Sequence, residues 1–397
     1  MTTVYSPCLP CQRLVAVIGI CLISFIVAGC NKSDSTRPPD IRVVEDDVPA
    51  LPAGQIPAPP LVIPEPKAPR NLSDGRVRPS DLDERTLQSF ARREAEKGNL
   101  SEAANLQHWA VLKSGKHQYN LACFLALANR KEDAFYWLQM AAKDEGVDAA
   151  WAEEDGDLVS LQSDERWPQV RRFLRQYEKY WASKQIVHPV LLLPKDYDGK
   201  TPLTTIVCLH GLGSNPENIA SEAMQPFADE LQIAIVGING TVPRGKTTFV
   251  WSEDPEADHQ QVVRSLDSLA GKFVPAPGKV IAIGFSQGAQ AGLEAAVRHP
   301  EYYAGAIVIS PGNRTGSGLA QVQPSPELAK RAFVFVVGAQ EHPGNVALTA
   351  QDAQWARNAK AHVVHRPTPG QSQHSFPADF NERFPEWVRM IEKTGGK

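Results

Sequence analysis

The pentapeptide Gly284-Phe285-Ser286-Gln287-Gly288 closes an apolar run, "KVIAIGF", and opens a helical stretch. A serine between two glycines at a strand-to-helix turn has its hydroxyl thrust into a cleft, because only glycines allow so sharp a turn. The amino-terminus of the following helix favours negative charge beside that oxygen. A serine hydroxyl is a weak nucleophile at neutral pH. It needs a base, an acid to orient that base, and donors for the oxyanion. On a turn of this kind the acid and then the base follow the serine in chain order. By that order His374, in the loop "PTPGQSQHSFPADF", is the base. His362 and His365 lie inside the run "AHVVHR" on opposite faces and read as packing or surface residues, and His342 sits at the exit of the preceding run. Glu341 stands three residues after Gly338, where an acid would leave the run "AFVFVVG". Its rival is Asp352, expected inside the next helix and facing water.

The oxyanion needs backbone amides that turn toward it. An early apolar run ends at His210-Gly211-Leu212-Gly213, whose glycines allow such a turn, so the N–H groups of Leu212 and Gln287 are the expected donors. His210 reads as a residue that orients this loop by hydrogen bonding. Trp251, in "FVWSEDPEADH", is expected to line the acyl pocket, with an exposed turn aromatic as the alternative.

These residues must be held by a scaffold, and from Gln185 onward the pattern supplies one. The runs "HPVLLL", "LTTIVCLHG", "IAIVGI", "KVIAIGF", "AGAIVIS", "AFVFVVG" and "AHVVHR" alternate with helical stretches near 217–231, 255–272, 287–298, 346–359 and 378–393. The middle runs are continuously apolar, as strands are when helices cover both faces of a parallel sheet. The expectation is an α/β fold with a doubly wound, mostly parallel sheet over 184–397, and chemistry at the carboxyl ends of its strands. After "AGAIVIS" only about twenty residues, rich in Gly, Ser and Pro, precede the next run, too few apolar groups for a lid. An open, shallow cleft and short acyl chains are expected.

"HGLGSN", "GFSQGAQAG" and the terminal histidine loop resemble the α/β-hydrolase superfamily, and most of all its phospholipase/carboxylesterase, acyl-protein thioesterase-like branch. The resemblance covers about Val187 to Ile391. It implies a serine hydrolase without a cofactor, acting on carboxylic ester or thioester bonds. The chain departs from that branch at "VGAQEH", where histidine-glycine and an aspartate are usual. A serine peptidase of the same fold and a non-catalytic anchored binding or scaffold protein are the alternative readings.

Residues 81–183 read as a small all-helical domain. Ala103 and Ala110 recur as Ala134 and Ala141, 31 residues on, a period of helix-hairpin repeats. Leu121, Ala122, Leu125, Ala134, Leu138 and Ala141 resemble the tetratricopeptide pattern. So few repeats bury little core alone, since stacking stabilises them. The segment with Trp167, Val170, Phe173, Leu174 and Tyr177 is expected to cap the stack. The domain reads as a spacer that stabilises its neighbour, or as the docking place of a protein partner.

The N-terminus reads as an address. Arg13 precedes the apolar run Leu14–Val27, shorter than the ~20 residues of a spanning helix, and Ala28-Gly29-Cys30 follow. Val27-Ala28-Gly29-Cys30 resembles a bacterial lipobox, implying a signal peptide over 1–29 and a lipidated Cys30. Residues 30–80 are proline-rich and read as an extended, disordered tether. The expected location is extracytoplasmic, on a bacterial membrane. The composition agrees with a folded chain: 397 residues, 42% hydrophobic and 22% charged. Lys+Arg 41 against Asp+Glu 45 leaves no basic excess for nucleic acid. No cysteine pair or H-E-x-x-H suggests a metal, no cofactor is expected, and Cys123 and Cys208 read as buried free thiols.

Overall fold

The computed structural model describes residues 55–71, 78–252, 254–312 and 317–395. Cys30 and the signal segment lie outside the described residues. Among the described residues no helix is long and apolar enough to cross a membrane.

Among the described residues the first part holds seven α-helices: α1 (Glu84–Glu96), α2 (Leu100–Ser114), α3 (Gln118–Leu127), α4 (Lys131–Asp144), α5 (Ala149–Glu154), α6 (Val159–Gln162) and α7 (Trp167–Ala182). Asp83 caps α1 by accepting from Thr86 N, and Gly115 ends α2 in the left-handed conformation, φ 66°. Ala103, Ala110, Ala134 and Ala141 are all fully buried, so small side chains let α2 and α4 approach their neighbours closely. Trp167, Val170, Phe173, Leu174 and Tyr177 turn one face of α7 into the core that holds Ala134 and Ala141. Of the proline-rich segment, residues 61–71 run along this layer. The Gln139 amide pairs with both the N–H and the C=O of Leu61, and the Asn105 amide does the same for Arg70.

The second part holds a seven-stranded sheet. Its strands are β1 (Val190–Leu192), β2 (Leu203–Leu209), β3 (Ala234–Ile238), β6 (Pro275–Phe285), β7 (Tyr303–Ile309), β8 (Ala332–Gly338) and β9 (His362–Thr368). A separate small hairpin pairs β4 (Val242–Pro243) with β5 (Phe249–Val250). The order is β1-β3-β2-β6-β7-β8-β9, parallel except for β1. β2, β3, β7 and β8 are buried throughout because helices cover both faces. Helices α10 (Pro255–Asp267), α11 (Gln287–Arg298) and α12 (Pro343–Asn358) pack on one face. On the other lie α8 (Pro216–Ile219), α9 (Gln225–Leu231) and α13 (Phe380–Gly395). Alternation within β2 shows both cores at once: Val207 and Leu209 face the first, Ile206 and Cys208 the second. Cys123 and Cys208 are free and buried.

The chain leaves β2 toward β3 and returns on the other side as β6. Strand order therefore reverses between β2 and β6, and a crevice opens at their carboxyl ends. His210 follows β2, and Ser286 follows β6.

Candidate active site

Ser286 has φ 56° and ψ −122°, a conformation costly for any residue with a side chain. Close packing around it enforces the turn. A Cβ on Gly284 would lie 2.1 Å from the Gly288 carbonyl oxygen, and one on Gly288 would lie 2.2 Å from that of Leu209. The helix α11 is thus pressed against the ends of β6 and β2, and only glycines fit between them. Ser286 N–H donates to Ile309 O, while its carbonyl accepts from Ala289 and Gly312 N–H.

Glu341 and His374 come from the loops after β8 and β9. Those loops are tied together by their backbones: Ala339 N–H donates to Thr368 O at 2.9 Å, and Gln340 N–H to Gln371 O at 3.0 Å. The Gln371 amide donates in turn to Ser375 O, next to His374. His374 Nδ1 meets Glu341 Oε1 at 2.6 Å, with the carboxylate side chain 1% exposed and the imidazole 39% exposed. Ser310 Oγ–H donates to Glu341 Oε2 at 2.8 Å, and Asn345 Nδ2–H to Oε1 at 2.8 Å. Asn345 also lies 3.4 Å from His374 Nδ1. Burial pushes the Glu341 carboxyl up, but the bonds from His374, Asn345 and Ser310 together hold it below the usual range. It is therefore an anion at neutral pH.

Two aromatics join the serine and histidine loops. The Phe285 ring lies 4.7 Å from the His374 ring and stacks on Phe376 at 5.3 Å. Gly312 borders the same space, since a Cβ there would sit 3.4 Å from Ser286 Oγ and 3.7 Å from Asn345 Oδ1.

The turn after β2 is closed by Ser214 N–H donating to Gly211 O, with Gly213 at φ 66°. A Cβ on Gly211 would lie 3.4 Å from Ser286 Cβ, so this turn flanks the serine. Leu212 is exposed on it. Gln287 is the first residue of α11, where an amide has no acceptor within the helix. His210 is 1% exposed and anchors the turn from below. Its Nε2 accepts from Gly240 N–H at 3.0 Å, so Nδ1 carries the proton and donates to Gly211 O at 2.7 Å. Burial drives its pKa down to about 4, which keeps this neutral tautomer.

Two expectations need correction. Trp251 neither lines a pocket nor sits in an exposed turn. It is 2% exposed, packs on the His210 ring at 5.5 Å and donates its indole N–H to His210 O at 2.8 Å. Its backbone is gripped by the Gln287 amide, which accepts from Trp251 N–H and donates to Trp251 O. Asp352 does lie within α12 but is fully buried rather than facing water. Gln290 Nε2 and Ser317 Oγ donate to its two oxygens, and it makes no contact with His374. Phe285, Ser310, Asn345 and Phe376 were not anticipated. The aromatics beside Ser286 and two residues after His374 were the available signal.

Among the described residues two groups carry ligand-type atoms within 4.8 Å of one another, and neither includes Ser286, Glu341 or His374. In the first, with Glu256, the His259 and His299 rings stack at 3.7 Å, so their lone pairs run in near-parallel planes instead of converging. In the second, with Asp155 and Asp157, burial holds the Cys123 thiol well above its ordinary pKa.

Comparison with known proteins places residues 182–389 in the esterase family described as "Putative esterase". "Putative esterase NocK" of Nocardia uniformis subsp. tsuyamanensis is 30% identical over 121 residues, which are 30% of this chain and 35% of that protein. The chain thus spans about a third of the length of the curated relative it matches. The Bacillus cereus carboxylesterase structure is 21% identical, with a TM-score of 0.39, over 53% of this chain and 98% of that one. Zea mays acyl-protein thioesterase 2 is 19% identical, with a TM-score of 0.39, over 52% and 99%. An uncharacterized protein from Bacillus cereus ATCC 10987 is 17% identical, with a TM-score of 0.41, over 79% and 99%.

Proposed function

Because the chain belongs to this esterase family through residues 182–389, we propose that it is a serine hydrolase of the carboxylesterase type. Ser286 is the nucleophile, His374 the base and Glu341 the acid. The observation that carries the reading is the 2.6 Å pair between His374 Nδ1 and the buried anion Glu341, beside a serine on a strained strand-to-helix turn. With Nδ1 committed to Glu341, Nε2 is the nitrogen left to take the Ser286 proton. The alkoxide oxygen then adds to the carbonyl carbon of an ester or thioester. The negative charge that develops on the carbonyl oxygen meets the Leu212 and Gln287 amides, and the helix α11 terminus supports it. His374 passes its proton to the departing alcohol or thiol. A water, deprotonated by the same histidine, releases the acid and restores Ser286. Glu341 stays charged throughout and stabilises the imidazolium.

The same proposal includes the address: cleavage before Cys30, lipid on that cysteine, and a membrane-held, extracytoplasmic enzyme with a tetratricopeptide-like helical domain. The lipobox-like Val27-Ala28-Gly29-Cys30 supports it. Wild-type protein should partition with membranes, and Cys30→Ser should leave an unprocessed precursor. An unlipidated N-terminus elsewhere would end this part alone.

Hydrolysis of p-nitrophenyl acetate, an acetyl thioester and peptide p-nitroanilides by wild type and Ser286→Ala tests the chemistry. Ester and thioester turnover that vanishes with Ser286 supports the proposal. Faster cleavage of anilides would make it a peptidase.

A further inference from the structure

The helical layer and the turn carrying Leu212 belong to different parts of the chain, yet one small hairpin touches both. Its outer end is clamped by the helical layer. Gly146 and Gly245 meet so closely that a Cβ on Gly245 would lie 1.8 Å from Glu145 O, and one on Gly146 would lie 1.5 Å from Arg244 O. Lys246 N–H donates to Asp144 O at 3.0 Å. The Arg244 guanidinium bridges Glu178 of α7 at 2.6 Å and Asp148 at 3.3 Å. These are backbone contacts and a shared cation, which together fix position as well as proximity.

The inner end of the hairpin is built into the site. Gly240 N–H donates to His210 Nε2, and Phe249 N–H to Ser214 O at 2.9 Å, so both stems of the hairpin hold the turn that bears Leu212. Trp251, just past β5, bonds His210 O through its indole and Gln287 through its backbone. Asp258 of α10 ties the two stems together by accepting from Thr241 and from Ser252. A Cβ on Gly240 would lie 2.5 Å from Val250 O, which leaves the stems no slack.

We infer that the helical layer is part of the catalytic unit: through the hairpin 240–250 it positions the two amides, Leu212 and Gln287, that receive the oxyanion, with Gly245 and Arg244 as positioning residues. The inference rests on the oxyanion assignment proposed above. A displacement of about 1 Å at such a site can cost ~100-fold in rate. Gly245 carries no left-handed φ, so alanine there is a wedge between the two parts and not a strain within the hairpin.

The test uses the full chain with Gly245→Ala, Arg244→Ala and Arg244→Lys. Gly245→Ala should lower kcat for p-nitrophenyl acetate about tenfold while KM stays within about twofold. It should weaken inhibition by a trifluoromethyl ketone, whose adduct bears the oxyanion, by the same factor. Arg244→Ala should move both quantities the same way, and Arg244→Lys should restore most of the loss. Hydrogen exchange in the peptide containing 210–214 should speed up in both damaging variants, an outcome that reads the mechanical link even if the esterase proposal fails. If Gly245→Ala does not fold, the arginine pair carries the test. A folded variant with unchanged kcat, unchanged ketone affinity and unchanged exchange at 210–214 would overturn the inference, because a purely stabilising spacer predicts that result.

Discussion

Asn345 Nδ2 donates to Glu341 Oε1, the same oxygen that His374 Nδ1 reaches. Since Nδ1 gives its proton to that oxygen, the amide serves the carboxylate rather than the imidazole. Ser310 fills the other oxygen from a residue at φ 45°. The carboxylate is thereby held in one rotamer, with its charge aimed at the histidine.

Glu341→Gln should cut kcat by about 10³–10⁴ with little change in KM, as loss of the orienting anion does in such triads. Asn345→Ala should cost about tenfold, the worth of one hydrogen bond to a charged group. Asp352→Asn should leave kcat within a few-fold and lower the melting temperature instead. Steady-state kinetics with melting curves decide this, and a collapse of kcat in Asp352→Asn alone would reassign the acid.

His210 makes stability fall in acid. Its folded pKa, about 4, lies below the ordinary ~6.5, so the unfolded chain takes up the proton first as pH drops. Its contribution is complete above pH ~6.5 and lost progressively toward pH 4, about 3 kcal/mol in all. His108, buried in the helical layer and likewise lowered to about 4, acts in the same direction. Denaturant unfolding from pH 7 to 4 should show this loss, and His210→Gln should flatten the slope. An unchanged slope would mean that His210 takes up its proton in the fold as readily as in the unfolded chain.

Acyl-chain preference follows from the connection between β7 and β8. Its Leu319 and Leu328 are buried in the sheet's own core, so these side chains are not free to wall an acyl chain. Each buried methylene would add about 0.8 kcal/mol only where such a wall exists. Across p-nitrophenyl esters from acetate to palmitate, kcat/KM should peak at short chains. A long-chain maximum would require another loop or the helical layer to form the wall.

Every strand of the main sheet stood out in the sequence, the central β2, β3, β7 and β8 because parallel strands buried on both faces read as apolar runs. The strand-to-helix turn at Ser286 was legible through its glycine flanks, and the meeting of His374 with Glu341 through chain order. The two-residue strands of the β4–β5 hairpin were not, being too short to show any period. Nor was the seating of residues 61–71, since Gln139 and Asn105 grip backbone groups that every sequence shares. Asp352 was misjudged because a carboxylate on a helix ordinarily faces water. Here Gln290 and Ser317, 62 and 35 residues away, satisfy it inside. Trp251 failed in the same way: a long-range bond to His210 O, 41 residues distant, decides its place.

In the proposed reaction Ser286 becomes acylated. Wild-type protein incubated with a fluorophosphonate should gain one adduct, mapped by peptide mass analysis to Ser286, and His374→Ala should slow labelling by several powers of ten. Ser286→Ala should not react. Equal labelling of wild type and Ser286→Ala, or an adduct on another residue, would remove Ser286 as the nucleophile.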